Sequence, residues 1–306
     1  MPANSSTSPL KIDGFPATGG RRRVLWIGGA SSLELAVART AVAAQVPVID
    51  AESPQAALAV GGPTPTFAVL AADRPGRFTV ADALLLSRAW PLMPIVSVAS
   101  SLVDGRRRSG PQLPGIEEIP WHDLPGRCSW WLTALDEGRP TGLGLPATSR
   151  REDRLLEPLG GIRSGGRPVA SEVSVAAARA DDLEGLCDLL QVAGHKVVHR
   201  QLGRPRLDET ATTLVWDVGD LVPPELEWLR LLAANRPSLF IVVLDSFPRG
   251  DTVLAALRAG AAVLGRPISL EALAGTLQNG AWHQSCSAQR LLPPWDKFSN
   301  LSSFRD

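Results

Sequence analysis

Three positions in the second half of the chain hold side chains whose type and placement could do chemistry. Asp217 closes the apolar run TTLVWD, Asp245-Ser246 closes LFIVVLDS, and Arg266 follows AAVLG. A carboxylate at the end of a buried strand can attack a phosphoryl donor as a nucleophile, or pair with a cation. Phosphoryl transfer also requires a divalent ion. Magnesium takes oxygen ligands in near-octahedral geometry and is held by carboxylates. The preceding apolar run, VSVAAA, ends in Ala177-Ala178, which offer no side-chain oxygen. Asp181 and Asp182 lie one helical turn further on, where they are a weak metal-holding pair and are expected to cap a helix instead.

Other constellations are weaker. Gly28-Gly29 in GGASSL stand between a strand and a helix, where backbone N–H groups can hold an anion. The run lacks the third glycine of a dinucleotide loop, and a tight turn is the better reading. Asp50 stands only roughly where a ribose-binding acid would. Trp121-His122-Asp123 places an imidazole beside a carboxylate, but no nucleophile accompanies them, and Asp123 is expected to cap the helix that follows. His195 and His199 are four apart across KVV, which reads as strand, so exposed strand-end histidines are expected there and not a metal site. Arg106-Arg107-Arg108 and Arg21-Arg22-Arg23 are the densest charges and suit an acidic protein surface.

Composition bounds the function. The chain has 306 residues and a formal net charge of zero, so nothing global draws it to nucleic acid or to an anionic membrane. No apolar run reaches the roughly 18 residues of a membrane span. Three separated cysteines, Cys128, Cys187 and Cys286, suit reduced thiols and a cytoplasmic location, with neither disulfide frame nor zinc site.

The elements that must position these residues alternate. Strand-like bursts VLWIG, VPVIDAES, TFAVLAA, PIVSVAS and IEEIPW are separated by helical stretches, and LPGRCSWWLTALDEG closes the set. In the first helix the spacing predicts a buried face of Leu33, Val37, Thr40 or Ala41, and Ala44, with Ser31 or Ser32 as cap. Ser53-Pro54 start the second helix, as cap and first position. Between PIVSVAS and IEEIPW no apolar period supports a helix. The second half repeats the order. Strands begin about 22, 43, 71 and 92 residues after Val24, and about 23, 40, 66 and 89 after Val173. Apolar bursts alternating with helices imply parallel sheets covered on both faces. We therefore expect a disordered leader (1–20), a first α/β domain (21–140), a linker (141–170), a second α/β domain (171–280) and a flexible tail (281–306).

Residues 173–278 resemble the receiver domain of two-component response regulators. TTLVWD, AGHKVV and AALRAGAAVLGRPISLEAL carry the resemblance, and residues 21–138 share it more weakly. It implies two tandem doubly wound, flavodoxin-like domains. It places Asp217 at the phosphoacceptor, Ala177-Ala178 at the acid pair, Asp245 at the strand-four hydroxyl and Arg266 at the lysine. In the first domain Gly28-Gly29 and Ala71 or Ala72 stand at the acid-pair and phosphoacceptor positions. The expectation is a non-catalytic pseudo-receiver, a signalling or scaffold protein acting through protein partners. Asp245, Arg266 and Arg106–Arg108 are its candidate partner or switch residues. No cofactor is expected, with magnesium only if Asp217 is phosphorylated. The alternatives are a phosphorylatable receiver and a ligand-binding or enzymatic cleft at the strand ends.

Overall fold

A computed structural model describes residues 22–29, 32–104, 113, 115–145 and 171–285. Two parallel five-stranded sheets are present. The first is built from β1 (Val24–Ile27), β2 (Val48–Ala51), β3 (Phe67–Ala72), β4 (Ile95–Ala99) and β5 (Glu117–Pro120). The second is built from β6 (Glu172–Ala177), β7 (Lys196–Leu202), β8 (Thr213–Gly219), β9 (Phe240–Asp245) and β10 (Ala261–Gly265). Their orders are β2-β1-β3-β4-β5 and β7-β6-β8-β9-β10, the same arrangement twice. This is the flavodoxin-like α/β architecture expected from the alternation of apolar bursts.

The central strands are apolar along their length because they are buried on both faces. Along β1, Val24 and Trp26 enter one core while Leu25 and Ile27 enter another. Along β8, Leu214 and Trp216 face one side and Val215 the other. The first sheet carries α1 (Leu33–Ala43), α2 (Pro54–Leu58), α3 (Val80–Ala89), α4 (Ser101–Asp104) and α5 (Leu124–Asp136). The second carries α6 (Ala180–Val192), α7 (Pro223–Asn235), α8 (Gly250–Arg258) and α9 (Leu270–Ser285). Ser53 caps α2 through a bond from the Ala56 N–H at 3.1 Å, and Pro54 opens it. Thr79 and Asp82 form a reciprocal capping box on α3.

Several local expectations change. The buried face of α1 is Leu35, Ala38 and Val42, while Ala44 is exposed. This helix is apolar nearly all round, so periodicity allows more than one stripe and the sheet chooses. Ser32 takes the N-cap position of α1 without a side-chain bond. A single helical turn, α4, does follow β4. His195 is buried at 6% exposure and shares a 2.8 Å hydrogen bond with Ser171, so it is not the exposed residue expected, while the His199 side chain is exposed. Helix α9 runs on to Ser285, past the end expected for the second domain. The expected leader, most of the linker, Arg106–Arg108 and the tail beyond 285 lie outside the described residues. Among the described residues no helix is long and apolar enough to cross a membrane.

The two sheets do not stand apart. One apolar cluster contains Leu124, Trp130 and Trp131 from α5, Ala274 from α9, and core residues of both sheets. Helices α5 and α9 cross at very short range. A Cβ placed on Gly275 would stand 1.9 Å from the Gly126 carbonyl oxygen, and one on Gly126 would stand 2.4 Å from the Ala272 carbonyl oxygen. Only glycine permits that approach.

Candidate functional site

The C-terminal ends of β6, β8, β9 and β10 bring the expected residues together. Ala177 pairs with Asp217 across β6 and β8, and Asp245 lies between Gly219 and Gly265. Asp217 and Asp245 are each only 2% exposed. Both carboxylate oxygens of Asp217 are engaged. Oδ1 accepts the Gly219 N–H at 3.1 Å, a tight turn made possible by the positive φ of Gly219, and Oδ2 faces Arg266 Nη2 at 3.3 Å. Arg266 reaches on to Asp182, with Nη2 to Oδ1 at 2.6 Å and Nη1 to Oδ2 at 3.4 Å. One guanidinium thus joins two carboxylates, the bidentate geometry that arginine provides and lysine does not.

Of the two roles open to a strand-end carboxylate, Asp217 is found in the second, paired with a cation, Arg266. The capping role expected for Asp181 and Asp182 is corrected. Arg179 takes the N-cap position of α6, and Asp182, in the first turn, pairs with Arg266 instead. Asp245 Oδ1 accepts the Phe247 N–H at 3.1 Å and the Leu221 N–H at 3.4 Å, so this acid ties down the loops after β8 and β9.

The charges follow from these contacts. Burial pushes the Asp217 carboxyl above its ordinary value; the Gly219 N–H and Arg266 oppose it without cancelling it. Burial also raises Asp245 against the pull of the Phe247 and Leu221 N–H groups. The Arg266 hydrogen bonds lower Asp182, and Asp182 in turn raises Arg266. A carboxyl raised in the folded state binds its proton there more tightly than in the unfolded chain. Its contribution therefore weakens stability as pH climbs from the ordinary value of about 4 through the raised value. The stability of Asp217→Asn relative to wild type is expected to rise over that window and then level off. Denaturant unfolding at stepped pH measures it, and a flat difference would contradict the assignment.

The acid-pair positions are Ala177 and Ala178, and a cationic guanidinium occupies the space between the two nearest carboxylates.

The first sheet offers less. Ala71 and Ala72 end β3, and by strand register Ala71 holds the place that Asp217 holds in β8. Gly28 makes the tight turn that was the better reading of Gly28-Gly29: its N–H donates to the Ala51 carbonyl oxygen at 2.9 Å and is not left free for an anion. Gly28 has φ +114°, and a Cβ there would stand 2.8 Å from the Ala71 carbonyl oxygen, so it serves a tight turn. The open groove beside it is lined by Gly29, Arg39, Asp50 and Glu52, and Arg39 and Asp50 pair with each other across it.

Two constellations take their setting only from the fold; the His122-Asp123 pair was visible in the sequence, but its place and partners were not. His122 and Asp123 lie at the junction of the two sheets. Asp123 holds the N-cap position of α5 but makes no cap bond; its Oδ1 contacts His122 Nδ1 at 3.0 Å and accepts the Gly265 N–H at 3.2 Å. Beneath them lies a buried ionic group. Arg127 bonds Glu117 and stands 3.7 Å from Glu271, which also accepts Trp131 Nε1–H at 3.1 Å and the Gly142 N–H at 3.3 Å. Only the meeting of Arg127 on α5 with Glu271 on α9 makes this a site, and no local motif marks either residue.

No protein-family model matches the chain, and no curated protein is similar to it. Solved structures are similar in part. A putative pilus assembly-related protein from Burkholderia pseudomallei is 23% identical over 39% of this chain and 93% of its own, with a TM-score of 0.34. A CheY-like response regulator receiver domain protein from Methanospirillum hungatei is 14% identical over 39% of this chain and 98% of its own, also with a TM-score of 0.34. A probable two-component system response regulator/GGDEF domain protein covers 87% of this chain and 100% of its own at 12% identity, with a TM-score of 0.33. Similarities of this size add no weight to the sheet order and side-chain positions above.

Proposed function

We propose that this chain is a non-catalytic signalling or scaffold protein of the response-regulator type, whose two receiver-like units work through contacts with other signalling proteins. One observation carries the reading. Asp217, at the phosphoacceptor position, has both oxygens engaged, and Arg266 lies between it and Asp182 where a divalent ion would be needed. A nucleophile so paired is neither free to attack nor assisted by a metal. Burial of Asp217 and Asp245 at 2% exposure also disfavours an enzymatic cleft at these strand ends.

Incubation with acetyl phosphate and magnesium is expected to leave the intact mass unchanged. A phosphate adduct that disappears in Asp217→Asn would overturn the proposal and favour a phosphorylatable receiver. Switching by such a protein requires a partner with different affinity for two conformations.

A further inference from the structure

The Asp217–Arg266–Asp182 group is not held by its own sheet alone. Arg266 leaves β10 directly after Gly265, and its own N–H donates to the Asp245 carbonyl oxygen at 3.0 Å. The amide before it, that of Gly265, donates to Oδ1 of Asp123, which stands between β5 and α5 of the first unit. Gly265 also lacks the side chain that would keep the first unit away: a Cβ there would stand 2.9 Å from His122 Cε1 and 3.5 Å from Pro248 Cγ. Asp123 and His122 are 5% and 9% exposed, so this contact is made away from water. Burial works to raise the Asp123 carboxyl, but His122, Arg127 and the Gly265 N–H outweigh it and hold it ionised, a strong acceptor.

A second contact joins the same two rims. Glu34, in the first turn of α1, accepts the Ser101 N–H and Oγ–H, each at 2.7 Å. A Cβ on Gly250, which opens α8, would stand 2.0 Å from Glu34 Oε1. The strand-end rims of the two units therefore meet at two places, through a hydrogen bond at Gly265 and through close approach at Gly250.

We infer that Asp123 is a positioning residue for the second unit's strand-end site: the first unit, through Asp123 on the Gly265 amide, fixes the end of β10 and so aims Arg266 at Asp182 and Asp217. The two units then share one conformational state at this rim. A partner that moves the β5–α5 turn of the first unit loosens Arg266 in the second. This holds whether or not Asp217 accepts a phosphoryl group.

Hydrogen exchange read by mass spectrometry on the full-length chain tests it. Asp123→Ala is expected to speed exchange roughly tenfold in peptides covering 261–266 and 213–219, the loss expected for a buried bond to a charged acceptor. Asp123→Asn keeps an oxygen acceptor and should restore most of the protection. Faster exchange confined to 121–124 would overturn the inference, as would an equal rise throughout α9, which would indicate loss of the whole junction. If Asp123→Ala does not fold, Gly265→Ala replaces it. That variant leaves the carboxylate intact but pushes β10 off His122, and it must speed exchange in the same two segments; unchanged protection there rejects the idea.

Discussion

Gly275→Ala is expected to destabilise the protein by about 3 kcal/mol, at the upper end for a small side chain forced into a packed contact. The added methyl carbon would stand 1.9 Å from the Gly126 carbonyl oxygen, 2.8 Å from its carbon and 2.9 Å from the Trp130 nitrogen. All three are backbone atoms of α5, so no rotamer change relieves the clash; the two helices must separate. Separation also loosens the Ser129–Asn279 bond at 3.0 Å and the apolar cluster that α5 and α9 share. For a chain of this size the thermal midpoint should fall by about 5–10 °C. Gly185→Ala is the control. It lies in α6 with nothing within 4 Å of its Cβ position, and there alanine should stabilise by about 0.5–1 kcal/mol. Equal midpoints for the two variants would show that the helix crossing is not the tight joint described.

The second large effect concerns Arg127. Arg127→Met is expected to cost about 3–5 kcal/mol, the range for removing one partner of a buried ion pair. Glu117 and Glu271 would then lie near each other without a cation, at side-chain exposures of 25% and 6%. Burial already pushes the Glu271 carboxyl above its ordinary value, and Arg127 opposes that. Without Arg127 it should rise further, so the variant should recover part of its lost stability in acid, where Glu271 is protonated. The double variant Arg127→Met, Glu271→Gln should be more stable at neutral pH than Arg127→Met alone. Denaturant midpoints for the three proteins decide it; a double variant no better than the single would mean that Glu271 is not the charge left stranded.

The β/α order was legible because each burst of Val, Ile, Leu and Ala is only as long as a strand buried on both faces, and Ser53-Pro54 and Gly138 mark helix ends by their backbone preferences. The orientation of α1 was not, since its apolar residues run nearly all round and only the sheet decides which of them it covers. The paired role of Asp217 and Arg266 followed from their places after two strands of one unit. The role of Asp182 did not, because an acid in the first turn of a helix looks like a cap until the chain is folded and a guanidinium lies 2.6 Å away.

The sequence by itself determined the two matched α/β units and the missing acid pair at Ala177-Ala178. Both are properties of residue order along a strand or a turn. Tertiary structure alone decided that the units are joined. It set Gly126 against Gly275, brought Glu271 to Arg127, and laid the Gly265 amide on Asp123. Each of these contacts links residues more than a hundred positions apart, and their energy comes from burial and from charges meeting away from water. Such terms have no signature in local propensity or period, and they exist only once both sheets have formed.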